Sequence, residues 1–376
     1  MIKLIYYILI AFPFVKWMGV GFSSDVQPLY LVAAGVVILF YGIRKKIRIN
    51  QQLKNLYIFL MIGLFTGAIF TLINNGFTLE GVPRYIVTYV GLIINTLAAY
   101  LIIEKDGGID ENILKIAICV YLAVGLIQRL FLSDFMYVWI SNARTSGIRG
   151  VISLTSEPSF YGYMCVFFMI LSREFGKHKY LFLLLNLFQI IILANSSVTI
   201  LYLGIYLVIC VVLFIPKLDF KRIILLITIG VISLIGIYKW LSIYHANSRT
   251  FYFMNLVLDN NYRSLLYQLS SDGSVVSRYN DIMFCLEEFI HDIGMPHGFS
   301  AGKMSSGYGS MIYTMGWIGV LIIISVFNIL RKTYVGEVYL RAIPIFLTII
   351  LFSSIQISVP LFGFILALSS YKHNIQ

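Results

Sequence analysis

Charged residues are scarce in this sequence. Asp, Glu, Lys and Arg make up 12% of its 376 residues, whereas an ordinary soluble domain contains about 25%. Hydrophobic residues make up 59%, and the mean hydropathy is +0.88. This composition excludes a soluble globular protein. Apolar runs near the ~20 residues that cross a bilayer recur along the chain, so we expect an all-α polytopic integral membrane protein forming one membrane domain over residues 1–376.

Cysteine is also scarce. Cys119, Cys165 and Cys210 lie inside apolar runs, and Cys285 stands alone in a polar segment. This spacing implies no disulfide framework and no metal cluster. His297 has no second histidine or cysteine at the spacing of zinc ligands. The sequence therefore predicts neither a bound metal nor another cofactor.

The apolar runs define about twelve membrane spans, each able to satisfy its backbone hydrogen bonds internally as a helix. The predicted spans are 3–21, 27–43, 55–73, 83–103, 112–131, 159–172, 179–195, 197–215, 222–241, 308–330, 338–355 and 357–371. The first begins like a signal sequence, but it is predicted to remain as an uncleaved span because no small-residue cleavage site follows it.

The distribution of lysine and arginine predicts the orientation. If the N-terminus is cytoplasmic, eighteen of the 28 Lys and Arg residues fall in cytoplasmic segments and ten in outer segments. The positive-inside rule places the larger share in the cytoplasm, so both termini are predicted to be cytoplasmic. The net charge of +11 then reflects membrane topology, and nucleic acid is not expected as a partner.

The two longest outer segments, about 132–158 and 242–307, contain most of the outer arginines. Long loops in a compact protein are usually functional or disordered. The second segment contains apolar and aromatic residues at helical spacing, so we expect it to be partly helical and to lie on the outer face. Together the two segments are predicted to cover an outward-facing cavity.

The stretch "RTSGIRGVISLTSEPSFYG", residues 144–162, combines Arg144 and Arg149 with Glu157 just before an apolar run. Two planar guanidinium groups with glycines between them suit a diphosphate. The alternative is contact with lipid headgroups. Glu157 followed by Pro158 also suits the start of a helix, yet an acid at the bilayer edge is a functional candidate by default. Both interpretations of Glu157 stay open.

Further candidates lie in other outer segments. Arg278 begins the stretch "RYNDIMFCLEEFIHDIGMPHGFSAG", which also contains Tyr279 and His297. Its acids also suit the solvated face of an amphipathic helix. The remaining outer arginines that we select as substrate-binding candidates are Arg84, Arg249 and Arg263. They either snorkel to headgroups or steer an anionic lipid-linked substrate. Polar residues inside spans, such as Asn95 and Gln128, are predicted to join helices by hydrogen bonds.

The order of these motifs is specific. The arginine-containing glycine-rich segment is followed by "SEPSFYG" at the start of a span, then by the long outer segment, then by "YTMGWIGV" in the next span. This pattern resembles the Wzy-type polysaccharide polymerases of bacterial surface-antigen synthesis, which are related to the O-antigen ligases. The resemblance covers the topology of the whole chain, and specific residues in about 144–162 and 278–319.

The resemblance implies a fold similar to the multi-spanning lipid-sugar-dependent (GT-C-like) glycosyltransferases. It also implies transfer of a glycan from undecaprenyl diphosphate to the non-reducing-end sugar of a second lipid-linked repeat unit, with inversion and without a metal. The reaction is expected at the periplasmic face of the bacterial inner membrane. The implied partners are the undecaprenyl-diphosphate-linked oligosaccharide, the lipid bilayer, and a chain-length regulator and flippase of the same pathway.

The family motifs suggest roles for individual residues. The R-x15-G pattern maps onto Arg278 and Gly294, and the glutamate before proline maps onto Glu157. The arginine ahead of that glutamate is Arg144 or Arg149. The resemblance makes the arginines diphosphate ligands, and it makes Glu157 the proton acceptor or the partner of an arginine.

Three alternatives stay open. The ligases carry a histidine shortly before the Gly-x-x-Gly of the following span, and "KMSSGYGSMIYTM" contains none ahead of Gly316 and Gly319, which disfavours a ligase. A flippase for lipid-linked sugar would place charge between its spans, whereas these arginines cluster in outer loops. A scaffold of a synthesis complex would tolerate the loss of single arginines.

Overall fold

The computed structural model describes residues 1–17, 24–42, 49–74, 82–144, 150–214, 273–299, 304, 306–353 and 357–375, with a few isolated positions between 215 and 272. The helices in this part of the chain are α1 (Ile2–Ala11), α2 (Leu29–Gly42), α3 (Gln51–Asn74), α4 (Val82–Asp106), α5 (Glu111–Leu130), α6 (Pro158–Ser172), α7 (Lys179–Phe188), α8 (Ser197–Phe214), α9 (Gly273–His291), α10 (Gly307–Met315), α11 (Trp317–Thr333), α12 (Val338–Ser353) and α13 (Pro360–Ile375).

Shorter elements complete the described fold. Two 3₁₀ turns cover Tyr137–Trp139 and Gly176–His178, and a π-helical turn, Gln189–Ala194, continues α7. The described residues form no strand, and their one β-bridge joins Val15 to Ile140. The all-helical fold predicted from composition is confirmed over the described part of the chain.

Within the described residues, five helical stretches are long and apolar enough to cross a membrane: α3, α4, α5, α8, and the run Gly176–Ala194 that contains α7. Four further apolar helices, α1, α2, α6 and α12, have 10–17 residues. These helices indicate a membrane protein. The count of twelve spans stays a prediction, and the predicted span 222–241 falls almost entirely outside the described residues.

Two predicted spans differ from the helices observed. In the first, 3–21, the helix that begins at Ile2 ends at Ala11, because Pro13 disfavours helical geometry in the residue before it. The predicted span 308–330 is two helices, α10 and α11, that meet at Gly316. This glycine has φ +60° and ψ −135°, a backbone conformation that side chains rarely permit. The chain therefore changes direction inside a run that appears continuous in the sequence.

Ion pairs distinguish two ends of the helix bundle. At one end Lys3 pairs with Asp106 at 2.7 Å, and Lys372 pairs with Glu174 at 2.5 Å. We call it the Lys3 end, and it carries residues that the sequence predicts to be cytoplasmic. The opposite end carries the segments that precede α2, α6 and α10, and we call it the Arg144 end.

Helix α4 lies at the centre of the bundle and packs against α2, α3 and α13. Its Asn95 is 1% exposed and joins three helices. The Tyr6 hydroxyl on α1 donates to Asn95 Oδ1 at 2.8 Å, and Asn95 Nδ2 donates to the carbonyl oxygen of Pro360 on α13 at 2.7 Å. Buried polar groups need such partners, and Asn95 thereby has the helix-joining role expected from the sequence.

Candidate functional site

A cavity of about 650 Å³ opens at the Arg144 end. Five short segments line it: 24–30 before and at the start of α2, 83–89 on α4, 142–144 before α6, 304–310 around the start of α10, and 357–358 before α13. The volume lies within the range of about 300–1,000 Å³ typical of small-ligand sites. Residues distant in sequence therefore meet around one space.

Arg144 is fixed at the cavity wall by backbone and side-chain contacts. Its N–H donates to the carbonyl oxygen of Ser156 at 2.7 Å. Its guanidinium Nη2 lies 2.8 Å from Asp25 Oδ2 and 3.0 Å from Glu157 Oε1. The Arg144 side chain is 49% exposed, whereas that of Asp25 is 5% exposed. One half-exposed cation thus compensates two carboxylates.

Asp25 is the buried member of this group. The Asn142 amide also donates to it, with Nδ2 3.2 Å from Asp25 Oδ1. Burial of a carboxylate is costly unless it is paired and hydrogen-bonded. Asp25 was not among the residues predicted from the sequence, although it is the only acidic residue before Glu80. The rule that selects Glu157, an acid beside an apolar run at bilayer depth, applies equally to Asp25 just ahead of α2.

Glu157 occupies the N-cap position of α6, with Pro158 in the first turn. Its side chain makes no capping hydrogen bond to the helix backbone. Instead, Glu157 Oε2 accepts a hydrogen bond from the Ser159 hydroxyl at 3.0 Å, and Oε1 pairs with Arg144. The side chain is 23% exposed. Glu157 is therefore an arginine partner placed at a helix start, where the helix dipole also favours a negative charge.

Gln128 on α5 anchors the segment that carries Arg144. Its Nε2 donates to the carbonyl oxygens of Phe135 at 2.8 Å and Ser153 at 2.9 Å, and its Oε1 accepts from the Ser153 N–H at 2.7 Å. Gln128 was predicted to join helices, but its side chain binds the backbone of the loop instead. These bonds satisfy buried backbone groups of a loop that has no ladder of its own.

The π-helical turn supports the same segment from another side. The Val151 N–H donates to the Leu193 carbonyl oxygen at 2.9 Å. The backbone of Gly150 approaches the Ala194 carbonyl so closely that a Cβ would overlap it. Position 150 therefore requires glycine for close backbone approach, and π-helical turns frequently occur at functional sites.

Arg84 contributes a second cation to the cavity. It lies in the first turn of α4 and is exposed. No ion pair joins Arg84 to a carboxylate of the described residues. Below it on α4, Tyr85 and Tyr89 are buried and line the cavity, and the Tyr85 ring stacks on Phe299 with centroids 4.9 Å apart. The α4 wall thus combines an exposed guanidinium with tyrosine rings.

The wall at the start of α10 is polar and uncharged. Ser306 is the N-cap residue of α10, and its Oγ accepts from the Gly309 N–H at 2.8 Å. Ser306, Gly307 and Ser310 all line the cavity. Hydroxyl groups can both donate and accept hydrogen bonds, so this wall suits a polyhydroxylated ligand.

Two further candidates, both on α9, do not line this cavity. Arg278 lies partly buried on α9, and Tyr279 is exposed beside it, and neither lines the cavity. The predicted site residues Arg149, Arg249 and Arg263 lie outside the described residues, so their positions stay predictions.

His297 belongs to a separate cluster with two carboxylates. Its Nε2 lies 2.8 Å from Asp292 Oδ2 and 3.4 Å from Glu288 Oε2, and its ring stacks on Tyr313 with centroids 4.5 Å apart. Asp292 Oδ1 also lies 2.6 Å from His291 Nδ1. The hydrogen bond from His291, and to a smaller extent the one from His297, lowers the pKa of Asp292, because both stabilise its charged form.

Comparison of the chain with protein-family models, with curated proteins and with solved structures finds no match.

Chemically, the cavity offers two guanidinium groups, one buried carboxylate in its wall, tyrosine rings and serine hydroxyls. Guanidinium groups bind phosphate oxygens in a planar, bidentate geometry. A carboxylate can accept a proton from a hydroxyl group that lies within about 3 Å. The cavity is therefore suited to a ligand that has both a phosphate group and a hydroxylated part.

Proposed function

We propose that the protein is a membrane glycosyltransferase that polymerises lipid-linked oligosaccharide repeat units. The observation that carries the proposal is the arrangement of Arg84, Arg144 and Asp25 around one cavity at the Arg144 end. In the proposed reaction, a hydroxyl of the non-reducing-end sugar of one lipid-linked unit attacks the anomeric carbon of another. The bond from that carbon to the undecaprenyl diphosphate breaks, and the diphosphate leaves with the electron pair.

The two cavity arginines have different roles in this proposal. The charge of Arg144 is already shared between Asp25 and Glu157, so its capacity for a further anion is reduced. Arg84 is exposed in the cavity and forms no ion pair with the described carboxylates. We assign the leaving diphosphate to Arg84. Removal of one donor that stabilises developing charge in an enzyme site typically costs about 3–4 kcal/mol.

Asp25 is the proposed proton acceptor. Its carboxylate lies in the cavity wall, and Arg144 and Asn142 fix its two oxygens. Glu157 then acts as a positioning residue that holds Arg144 from the other side. A direct attack on the anomeric carbon inverts its configuration, and the proton moves from the acceptor hydroxyl to Asp25 as the new glycosidic bond forms.

The charge distribution supports an outward-facing site. Among the described residues, most Lys and Arg lie in segments at the Lys3 end, and the positive-inside rule assigns such segments to the cytoplasm. The cavity at the Arg144 end would then face the periplasm of a bacterial inner membrane, where lipid-linked units are polymerised in the family that this sequence resembles.

Substitutions of Arg84 test the proposal in cells whose surface polysaccharide depends on this chain. Arg84→Ala is expected to lower polymerisation about 100- to 1,000-fold, in keeping with the loss of one charge-stabilising donor. Arg84→Lys should restore part of the polymerisation, because lysine keeps the positive charge but lacks the planar, bidentate guanidinium group.

The matched control is Arg129→Ala, which removes an exposed arginine at the last turn of α5, outside the cavity. Polymerisation should be unchanged in this variant. Normal polymer from Arg84→Ala cells, with protein amounts equal to wild type, would contradict the proposed role of the cavity.

A further inference from the structure

A cluster of possible metal ligands lies outside the cavity. Glu288 on the last turn of α9, Asp292 just after it and His297 in the following loop each present one ligand atom. These three atoms all lie within 4.8 Å of one another. Histidine and cysteine spacing around His297 predicted no metal site. The fold adds two carboxylates.

From this geometry we infer a divalent-cation site, best suited to Zn²⁺, formed by Glu288, Asp292 and His297. Zinc binds imidazole nitrogen and carboxylate oxygen at about 2.0–2.2 Å in tetrahedral geometry, which separates neighbouring ligand atoms by roughly 3.3–3.5 Å. The distance from His297 Nε2 to Glu288 Oε2 is 3.4 Å, and the distance to Asp292 Oδ2 is 2.8 Å. A small outward rotation of Asp292 would accommodate the ion.

The imidazole is held in position for this role. The backbone N–H of His297 donates to the Tyr313 carbonyl oxygen at 3.0 Å, and the backbone carbonyl oxygen of His297 accepts from Asn74 Nδ2 at 3.0 Å. The ring stacks on Tyr313, and its Nδ1 is buried. Nε2 is therefore the ring nitrogen that a ligand can reach, and little rotamer freedom is left to lose when an ion binds.

The loop backbone also fixes this geometry. Gly294 and Gly298 have φ values of +75° and +81°, and Ile293 between α9 and Gly294 has φ +53°. A Cβ at Gly298 would overlap the backbone of Thr71 on α3. The Phe299 N–H also donates to Thr71 Oγ1 at 2.6 Å, so the loop is held against α3 and cannot easily carry His297 away.

Charge favours a cation at this position. A neutral imidazole has one N–H to donate from Nε2, and it cannot satisfy both carboxylates that lie near it. With His297 neutral, Glu288 and Asp292 give the cluster two negative charges. An ion with nitrogen and oxygen ligands compensates both, and the choice of one imidazole with two carboxylates suits zinc better than calcium or magnesium. Three protein ligands leave a fourth position for water.

Metal binding by the purified, tag-free protein tests the inference. Isothermal titration calorimetry with Zn²⁺ is expected to show one equivalent of zinc bound per protein chain. His297→Gln and Glu288→Gln should each weaken binding by more than about 100-fold, because even the loss of an outer-shell partner costs roughly 10–100-fold.

Glu287→Gln is the matched control, since it removes an exposed neighbouring carboxylate on α9 that is outside the cluster. It should bind Zn²⁺ as wild type does. Variants are compared only after their elution volume in size-exclusion chromatography and their thermal unfolding midpoint show a folded protein. Visible absorption of the Co²⁺-loaded protein, which reports tetrahedral coordination, provides a second measurement of metal binding. No binding by wild type, or equal binding by wild type and both ligand variants, would overturn the inference.

Discussion

The ion pair between Asp25 and Arg144 predicts an asymmetric response to mutation. Arg144→Met would leave the Asp25 carboxylate, which is 5% exposed, without the guanidinium that compensates its charge. The loss of one partner from a buried pair costs about 3–5 kcal/mol. Asp25→Asn would leave Arg144, which is 49% exposed, still 3.0 Å from Glu157. We expect that change to cost only about 1–2 kcal/mol.

The double variant separates this reasoning from a general loss of packing. When Arg144→Met and Asp25→Asn are combined, neither charge of the pair remains, so the penalty for a buried carboxylate that has lost its guanidinium partner disappears. The combined cost should be about 2–4 kcal/mol, below the sum of the two single effects, with a coupling energy of up to about 3 kcal/mol.

Equilibrium unfolding of the purified protein in mixed micelles, followed by tryptophan fluorescence, would measure these free energies. Circular dichroism of each variant before unfolding checks that its helix content equals that of wild type. If Asp25→Asn destabilises the protein as much as Arg144→Met does, or if the two single effects add, the account of a buried carboxylate paired with a half-exposed arginine is wrong.

The same unfolding assay addresses three further changes. Gln128→Leu removes the three hydrogen bonds to Phe135 and Ser153. The change should lower the free energy of unfolding by about 2–4 kcal/mol, because buried backbone groups lose their partners. An unchanged unfolding midpoint would refute the anchoring role. Gly150→Ala should destabilise the protein because its Cβ would overlap the Ala194 carbonyl, whereas Gly108→Ala, where nothing lies within 4 Å, should have little effect. Gly316→Ala should also be destabilising, since φ is +60° there, and wild-type stability would argue against a fixed break between α10 and α11.

Helix positions follow closely from the sequence where charged or polar residues bound an apolar run. The predicted span 112–131 is α5, Glu111–Leu130, because acidic residues precede that run and polar residues follow it. The break at Gly316 could not be predicted in this way. Glycine is tolerated within apolar runs, and only the backbone around Gly294 and Pro296, which approaches position 316, requires the unusual conformation.

The candidate site was predictable only in part. Arg144 and Glu157 lie 13 positions apart in one conspicuous motif, and the structure pairs them. Asp25 lies 119 positions from Arg144, and nothing in local composition connects them. Their pairing follows from the packing of the first loop against the segment before α6, where Lys16 and Ser141 make backbone hydrogen bonds to Trp139 and Phe14. Such long-range contacts depend on the whole helix arrangement.

The polar neighbours of His297 show the same limit. In the sequence, Glu288 and Asp292 have the spacing of a solvated helix face. The reversal of the chain at Gly294 and Gly298 brings His297 back to that face. A search by residue spacing alone therefore finds two unrelated features where the fold forms one cluster.

The most direct test of the central claim is the reaction itself in detergent, where no translocation across a membrane can occur. Purified protein is incubated with lipid-linked oligosaccharide repeat units, and the glycan products are separated by length. A ladder of longer glycans is expected from wild type and from Arg129→Ala, with about 100- to 1,000-fold less extension from Arg84→Ala. Unchanged repeat units with wild-type protein, or equal ladders from wild type and Arg84→Ala, would contradict the central claim.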